Sequence, residues 1–285
     1  MMAGLAPLAA QTKADGFRFV HFTDTHIQPE LGAGEGCTAC FDAIRESGVD
    51  FAVAGGDLVM DAAEQGRARA KLQFDMYAEA VRRIEVPVRS VPGNHDVFGT
   101  SAKSGVKRED PQFGKKMFAD RIGPVYSSFD HKGVHFVLLD SIGIGADGSF
   151  RGVVDAGQLE WLRSDLERVG KRRPVIAVTH VPLVSAAMQI VPDPWKTAET
   201  YLVSNSRAVL DVFAGYNLRA VLQGHTHIRE NVTYDGCQFI TSGAVCGNWW
   251  KGSRLGHPEG FAVVTVSGEG DVRWEYRTYG FKARV

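Results

Sequence analysis

The sequence predicts a layered α/β fold with mixed sheets, α/β in its alternation but α+β-like where hairpins intrude. Three observations predict it. Short apolar, strand-like runs alternate with amphipathic helical segments over much of the chain. Hairpin signals interrupt that alternation after residue 125 and dominate after residue 228. Five of the strand-like runs end in Asp, Asn or His clusters, as the strands of an open α/β sheet do when their carboxyl ends build a site.

Phe17 to Asp24 is rich in Phe and Val and reads as a strand. Thr38 to Ser47 reads as a helix, and Phe51 to Asp57 as a strand whose end is loosened by Gly55 and Gly56. Over Glu64 to Ile84, the residues Leu72, Met76, Ala80, Val81 and Ile84 recur at helical spacing. Val86 to Val91 is a third strand, stopped by Pro92-Gly93. A polar loop over Gly99 to Asp110 precedes a short helix over Pro111 to Ile122. Tyr126 to Phe129 and Val134 to Ser141 flank a turn at residues 130–133. Asp155 caps a helix running to Val169, with Leu159, Leu162, Leu166 and Val169 as its apolar stripe. A strand over Pro174 to Thr179, a helix over Ser204 to Ala214 and a strand over Leu218 to Gln223 follow. Beyond Arg229 the chain reads as paired strands, with turns at Asp235-Gly236 and Gly268-Glu269-Gly270.

No repeat, low-complexity tract or linker divides the 285 residues. The simplest organisation is one domain over 16–285, with cap-like excursions at 183–203 and 243–260, after a terminal segment at 1–15. Met1 to Ala10 is small and apolar, reading equally as a frayed terminus or as the tail of a secretory signal. Cytoplasm and export both stay open. With 32 basic and 33 acidic residues there is no basic excess of the kind a sequence-independent nucleic-acid binder needs. No apolar run is long enough to span a bilayer. Cys37 and Cys40 form a lone C-x-x-C pair, weak ground for metal or redox chemistry when no second pair stands at matching spacing. A disulfide between Cys237 and Cys246 is open at this level. Composition leaves the oligomeric state open too.

The chemistry lies in the strand-end clusters. They are Asp24-Thr25-His26, Gly56-Asp57, Gly93-Asn94-His95-Asp96, Thr179-His180 and Gly224-His225-Thr226-His227. Residues two apart on extended chain face the same way, so Asp24 and His26 can grip one ion, and His225 and His227 can serve one ion or two. The glycines before Asp57, Asn94 and His225 permit sharp turns and close approach. Imidazoles, carboxylates and one amide without thiolate suit transition metals such as Mn, Fe, Zn or Co better than Ca or Mg. So many donors fit two ions better than one.

These clusters, in this order, resemble the D-x-H, G-D, G-N-H-[DE], lone H and G-H-x-H motifs of the calcineurin-like metallophosphoesterase superfamily, and the resemblance runs from Asp24 to His227. It implies a four-layer α/β/β/α sandwich and a dinuclear centre of two divalent or mixed-valence ions. Asp24, His26 and His227 would hold the first ion, Asn94, His180 and His225 the second, and Asp57 would bridge them. His95 would face the substrate, and Asp96 would hydrogen-bond His95. Metal-activated water would attack a phosphoester, with His95 protonating the leaving group. The chain lacks the Arg of the protein-phosphatase motif G-D-x-V-D-R-G, reading Gly56-Asp57-Leu58-Val59-Met60-Asp61-Ala62 instead. Its size and motif forms look more like small bacterial phosphodiesterases acting on cyclic nucleotides or glycerophosphodiesters. A phosphomonoesterase with the same site is the alternative. A non-catalytic scaffold of the same fold is a further one, against which stands the filling of every ligand position.

Other residues carry weaker expectations. Trp249, Trp250, Lys251 and His257 are candidates for a substrate pocket, one of the two Trp lining it and Lys251 or Arg254 meeting a phosphate or headgroup; Trp195 and Lys196 have a similar claim. His21 and His135 read as structural, and His131 as solvated in a turn.

Overall fold

The structure, a computed structural model, describes residues 16–189 and 200–284. Trp195 and Lys196, and the terminal segment at 1–15, lie outside the described residues. Two sheets make the centre. The first has the order β13-β12-β1-β2-β3, built from β1 (Phe17–Phe22), β2 (Phe51–Ala54), β3 (Val88–Ser90), β12 (Phe261–Val266) and β13 (Val272–Arg277). The second runs β10-β11-β9-β8-β5-β4, from β4 (Ser127–His131), β5 (Val134–Leu138), β8 (Pro174–Val178), β9 (Asn217–Gln223), β10 (Arg229–Tyr234) and β11 (Cys237–Ser242). A separate hairpin pairs β6 (Ile142–Ile144) with β7 (Phe150–Gly152).

Alternate residues of the strands meet between the sheets. Phe19 stacks on Phe51 at 5.0 Å, and both meet the edge of Phe136 at 5.3 Å. Ile176, Leu222 and Val264 complete this inner layer. The opposite face of the first sheet is covered by α1 (Ala33–Glu46) and α2 (Arg67–Ala80). The helices α4 (Ala156–Val169) and α5 (Ser206–Phe213) cover the second sheet, and a short α3 (Lys116–Arg121) lies between β3 and β4 in sequence. The layers are therefore α/β/β/α, as the motif resemblance implies. Among the described residues no helix is long and apolar enough to cross a membrane.

Helix α4 forms as its pattern predicts. Asp155 accepts the Gln158 N–H at 2.9 Å, and Leu159, Leu162 and Leu166 are buried. Helix α2 differs. Its buried face is Ala70, Gln73, Phe74, Tyr77 and Ala80, whereas Leu72 is 45% exposed. Leu72 and Met76 suggested a stripe one position away from the one that Phe74 and Tyr77 set, since larger side chains decide which face turns inward. Helix α1 starts at Ala33, so Cys37 and Cys40 lie within it, on its buried face. All four cysteines are free and buried, so no Cys237–Cys246 disulfide forms. His131 is not a solvated turn residue: it is in β4 and packs edge-on against Phe17 at 4.7 Å. The β6–β7 hairpin carried no clear signal.

The segment 243–260 contributes to the core. Trp250 is fully buried. A Cβ at Gly36 would sit 2.2 Å from its ring, so glycine in α1 makes room for the indole. The Trp250 Nε1–H donates to the His26 carbonyl at 3.0 Å. The expectation that Trp250 lines a substrate pocket is thereby corrected, because the indole is the largest fully buried side chain under the loop. Trp250→Ala is expected to cost about 3–5 kcal/mol, as buried aromatic truncations do. Denaturant unfolding measures this; a loss below about 1 kcal/mol, the range of surface substitutions, would show that the ring is not a core element.

Candidate metal centre

Five loops leave the carboxyl ends of β1, β2, β3, β8 and β9 and meet at one point. Backbone bonds knit them together. Asp24 N–H donates to Gly56 O at 2.9 Å, His26 N–H to Asp57 O at 3.0 Å, and Gly224 N–H to His180 O at 3.0 Å. The chain turns sharply here: Asp24, His26, Asp57, His225 and His227 all have positive φ, between 41° and 70°. Such left-handed positions are uncommon for residues other than glycine and cluster at functional sites. The neighbouring glycines permit the crowding. A Cβ at Gly93 would lie 2.1 Å from Asp57 Oδ1, and one at Gly224 would lie 2.2 Å from Thr23 Oγ1.

The donor atoms fall into two groups that share one atom. Asp57 Oδ2 lies 3.5 Å from His26 Nε2 and 3.2 Å from His180 Nε2. On one side His227 Nε2 lies 3.2 Å from both His26 Nε2 and Asp24 Oδ1. On the other side His180 Nε2 lies 3.2 Å from Asn94 Oδ1 and 3.2 Å from His225 Nδ1. Zinc-like ions bind such donors at about 2.0–2.2 Å. Donors around one ion then stand about 3.0–3.4 Å apart, whether the arrangement is octahedral or tetrahedral. The 3.2 Å spacings match, the two from His26 to Asp57 and to Asp24 are wider at 3.5 and 3.8 Å, and the donor set fits two cations.

Outside this centre, the other atom of nearly every donor is occupied. His180 Nδ1 meets Gly55 O at 2.8 Å, His227 Nδ1 meets Gly247 O at 2.6 Å, and His225 Nε2 meets Thr200 O at 3.0 Å. A carbonyl only accepts, so each of these nitrogens carries the proton and leaves the opposite lone pair facing inward. The carboxylates follow the same logic. Asp57 Oδ1 accepts the His95 N–H at 2.8 Å, and Asp24 Oδ2 accepts the Thr23 hydroxyl at 2.7 Å and the His225 N–H at 3.0 Å. The exception is His26 Nδ1, buried without a hydrogen-bond partner.

Electrostatics agree. Burial opposes charge on Asp57, but His180, His95 and His26 hold its carboxyl well below the usual range. Burial likewise disfavours charge on His180, but Asp57 and Asp24 outweigh it and lift the imidazole to about 9. Burial pulls His26 and His225 down to about 4. The carboxylates are thus favoured as anions, His26 and His225 as neutral imidazoles, and His180 and His227 as imidazoliums that sit where cations would compensate the same carboxylates.

His95 stands at the edge of the centre, its ring edge-on to His26 at 4.6 Å. Its Nδ1 meets Met60 O at 2.6 Å. The expected Asp96–His95 bond is absent and is corrected. Asp96 instead accepts N–H bonds from Leu58 and Val59 on Oδ1 and from Gly93 on Oδ2, at 2.8–3.1 Å. It clamps the turn after Asp57 to the turn before Asn94, and Met60 orients His95. Burial and the Asp57 charge push the Asp96 acid up, against those three donors.

The remaining candidates divide. Trp249 lines the centre, its ring 4.6 Å from His227. The Arg254 guanidinium lies 5.3 Å from the centroid of that ring. Lys251 is exposed and lines neither cavity beside the centre. His257 Nδ1 accepts the Arg229 N–H at 3.2 Å, tying the loop to β10 rather than facing the centre. His21 is buried with Nδ1 2.6 Å from Ser242 Oγ, and His135 sits between Asp130 and Asp165 at 2.7 and 2.9 Å; both are structural, as read from sequence. Sequence reasoning missed Phe150 and Tyr201, whose rings pack on His225 at 5.7 and 5.2 Å, and the Cys246 thiol, 3.8 Å behind His227 Nδ1. No motif marks any of them.

A two-sheet sandwich with two nitrogen–oxygen donor groups joined through one carboxylate defines the class as a protein with a candidate dinuclear metal centre. The calcineurin-like phosphoesterase family model matches residues 17–229, and the chain belongs to that family. A probable cyclic nucleotide phosphodiesterase of Rhodococcus erythropolis is 28% identical over 80% of this chain and 70% of its own length. A 3',5'-cyclic adenosine monophosphate phosphodiesterase of Haemophilus influenzae is 24% identical over 83% of this chain and 79% of its own. Among solved structures, a dimetal phosphatase from Danio rerio superposes with a TM-score of 0.63 at 18% identity, covering 92% of this chain and 99% of that one.

Asp57→Ala is expected to abolish binding of both ions, from about two per chain, whereas Asn94→Ala should leave about one. Elemental analysis of protein loaded with Mn or Zn counts them. Retention of two ions by the Asp57 variant would remove the bridging role.

Proposed function

We propose that the chain is a phosphodiesterase that hydrolyses small phosphodiesters, of which a cyclic nucleotide is the first candidate. The observation that carries this reading is the single oxygen, Asp57 Oδ2, standing between two donor groups with His95 beside it. Asp24, His26 and His227 would hold one ion and Asn94, His180 and His225 the other, with Asp57 shared. Two divalent ions, when bound, supply Lewis acidity toward phosphoryl oxygens and a water made nucleophilic near neutral pH. Mn, Fe, Zn and Co all suit the donors.

The chain's own residues supply the rest. The His95 Nδ1–H donates to Met60 O, which aims Nε2 away from the peptide and toward the substrate side. Held there, a protonated Nε2 can donate to the oxygen of the departing alcohol. Asp96 keeps the Asn94 turn in register with the Asp57 turn, so ligand and proton donor move together. Trp249 and Tyr201 wall the space above the donors. The relatives named as cyclic nucleotide phosphodiesterases support the diester class.

Bis(p-nitrophenyl) phosphate should be cleaved faster than p-nitrophenyl phosphate by the metal-loaded protein; the reverse order would favour a monoesterase. His95→Ala should lower kcat on a diester with an alkyl leaving group by about 10²–10⁴-fold, the range of general acid catalysis. The loss on an aryl ester should be far smaller, because nitrophenolate departs without a proton. Equal losses on both would remove His95 as the proton donor.

A further inference from the structure

The centre opens on two adjoining spaces that share Asn94, His95 and Phe150. The smaller, about 260 Å³, lies over the metal donors. The larger, about 650 Å³, adjoins it at these shared residues. Its walls are the chain from Met60 to Glu64, the chain from Thr100 to Lys103, and the tip of the β6–β7 hairpin. The hairpin tip is held close: a Cβ at Gly148 would lie 2.0 Å from Thr100 O, and Gly148 has φ 82°.

In an in-line displacement at a two-metal centre the leaving oxygen departs opposite the attacking one. The group that protonates it therefore marks the side where the alcohol sits. His95 is at the junction of the two spaces, so the alcohol it serves extends into the larger one. The charge there is lopsided. Asp61, Glu64 and Asp147 line it against a single cation, Lys103, giving a formal sum of −2 from three carboxylates and one ammonium. Lys103 is itself engaged, bonded to Glu64 at 2.9 and 3.0 Å. The other two acids make their hydrogen bonds to neutral groups, Asp61 with the Glu64 N–H and the Gln65 amide and Asp147 with the Ser149 N–H and hydroxyl, while Lys103 acts on Asp61 and Arg151 on Asp147 through space. Phe150 adds a flat apolar face.

We infer that the larger cavity is the leaving-group subsite, and that its acidic wall selects an uncharged or cationic alcohol over one carrying a phosphate or other anion of its own. This rests on the phosphoesterase reading and narrows it. Nucleosides and amino alcohols fit; leaving groups that bear further phosphates are rejected.

The test uses methyl phosphodiesters of choline, of 2-methoxyethanol and of 2-hydroxyethylphosphonate, a cationic, neutral and anionic set. Release of the named alcohol by the Mn-loaded full chain is followed, with bis(p-nitrophenyl) phosphate as reference. We expect kcat/KM for the anionic alcohol at least about tenfold below the other two, a difference of about 1.4 kcal/mol. Asp61→Asn with Asp147→Asn, which keeps an acceptor oxygen at both positions and brings the formal sum to zero, should narrow the gap to about threefold or less. High salt should narrow it in the unmodified protein, since charges near solvent are screened. Rates are compared as ratios within each protein, so a partly unfolded variant does not distort them. Equal rates for all three alcohols in the unmodified protein would overturn the inference and leave the phosphoesterase reading standing, as would an undiminished gap in the double variant. Failure of the metal-loaded protein to cleave any diester, the reference included, would overturn the phosphoesterase reading itself and this inference with it.

Discussion

One carboxylate oxygen organises this molecule. Asp57 Oδ2 is within 3.5 Å of an imidazole on each side, and each imidazole belongs to a different donor group. Its partner oxygen is tied to the His95 N–H, so the carboxylate cannot rotate to serve one side alone. For Oδ2 to stand there, β2 must stop at Ala54, Gly56 must turn with φ 95°, and Asp57 must itself adopt φ 51°. A residue at Gly93 larger than glycine would strike this carboxylate. The β2 and β3 loops thus depend on the same few cubic ångströms.

Backbone groups give the site most of its support, with the Thr23 hydroxyl on Asp24 and the Cys246 thiol behind His227 as side-chain additions. His95, His180, His225 and His227 are each oriented by a backbone carbonyl, and Asp96 binds backbone N–H groups only. Carbonyls fix a tautomer as firmly as carboxylates do without adding charge. That matters where two anionic carboxylates already sit in buried space. A further acid behind each imidazole would raise the repulsion that Asp57 imposes on Asp96.

Much of this was legible from the sequence, for definite reasons. Strand ends that finish in Asp, Asn or His mark a crevice, and the loops after β1, β2, β3, β8 and β9 do bring those residues together. The inner face of the sandwich was legible in Phe17, Phe19 and Phe51, because large apolar residues at alternate positions have only one place to go. What was illegible depends on contacts distant in sequence. Trp250 and Trp249 are adjacent and chemically identical, yet one fills the space over Gly36 and the other lines the centre; only the turn geometry of 247–250 separates them. Likewise Asp96 follows His95 directly, and the motif resemblance implied a bond between them. The turn instead points the carboxylate inward to Leu58, Val59 and Gly93 while the imidazole swings toward Met60.

The strained backbone and the crowded donors belong to one balance of forces. Left-handed conformations at non-glycine positions cost of order 1–3 kcal/mol each, and five donors adopt them. The donor imidazoles are crowded as well, with nitrogens 3.2 Å apart in the His26–His227 and His180–His225 pairs. The two sheets resist both, since relaxing a turn would pull β1, β2 or β9 out of a packed aromatic layer. Cations between the donors would draw these same atoms together. Sheets that set the donors at spacings two ions would share leave little further ordering of the loops for binding to bring about.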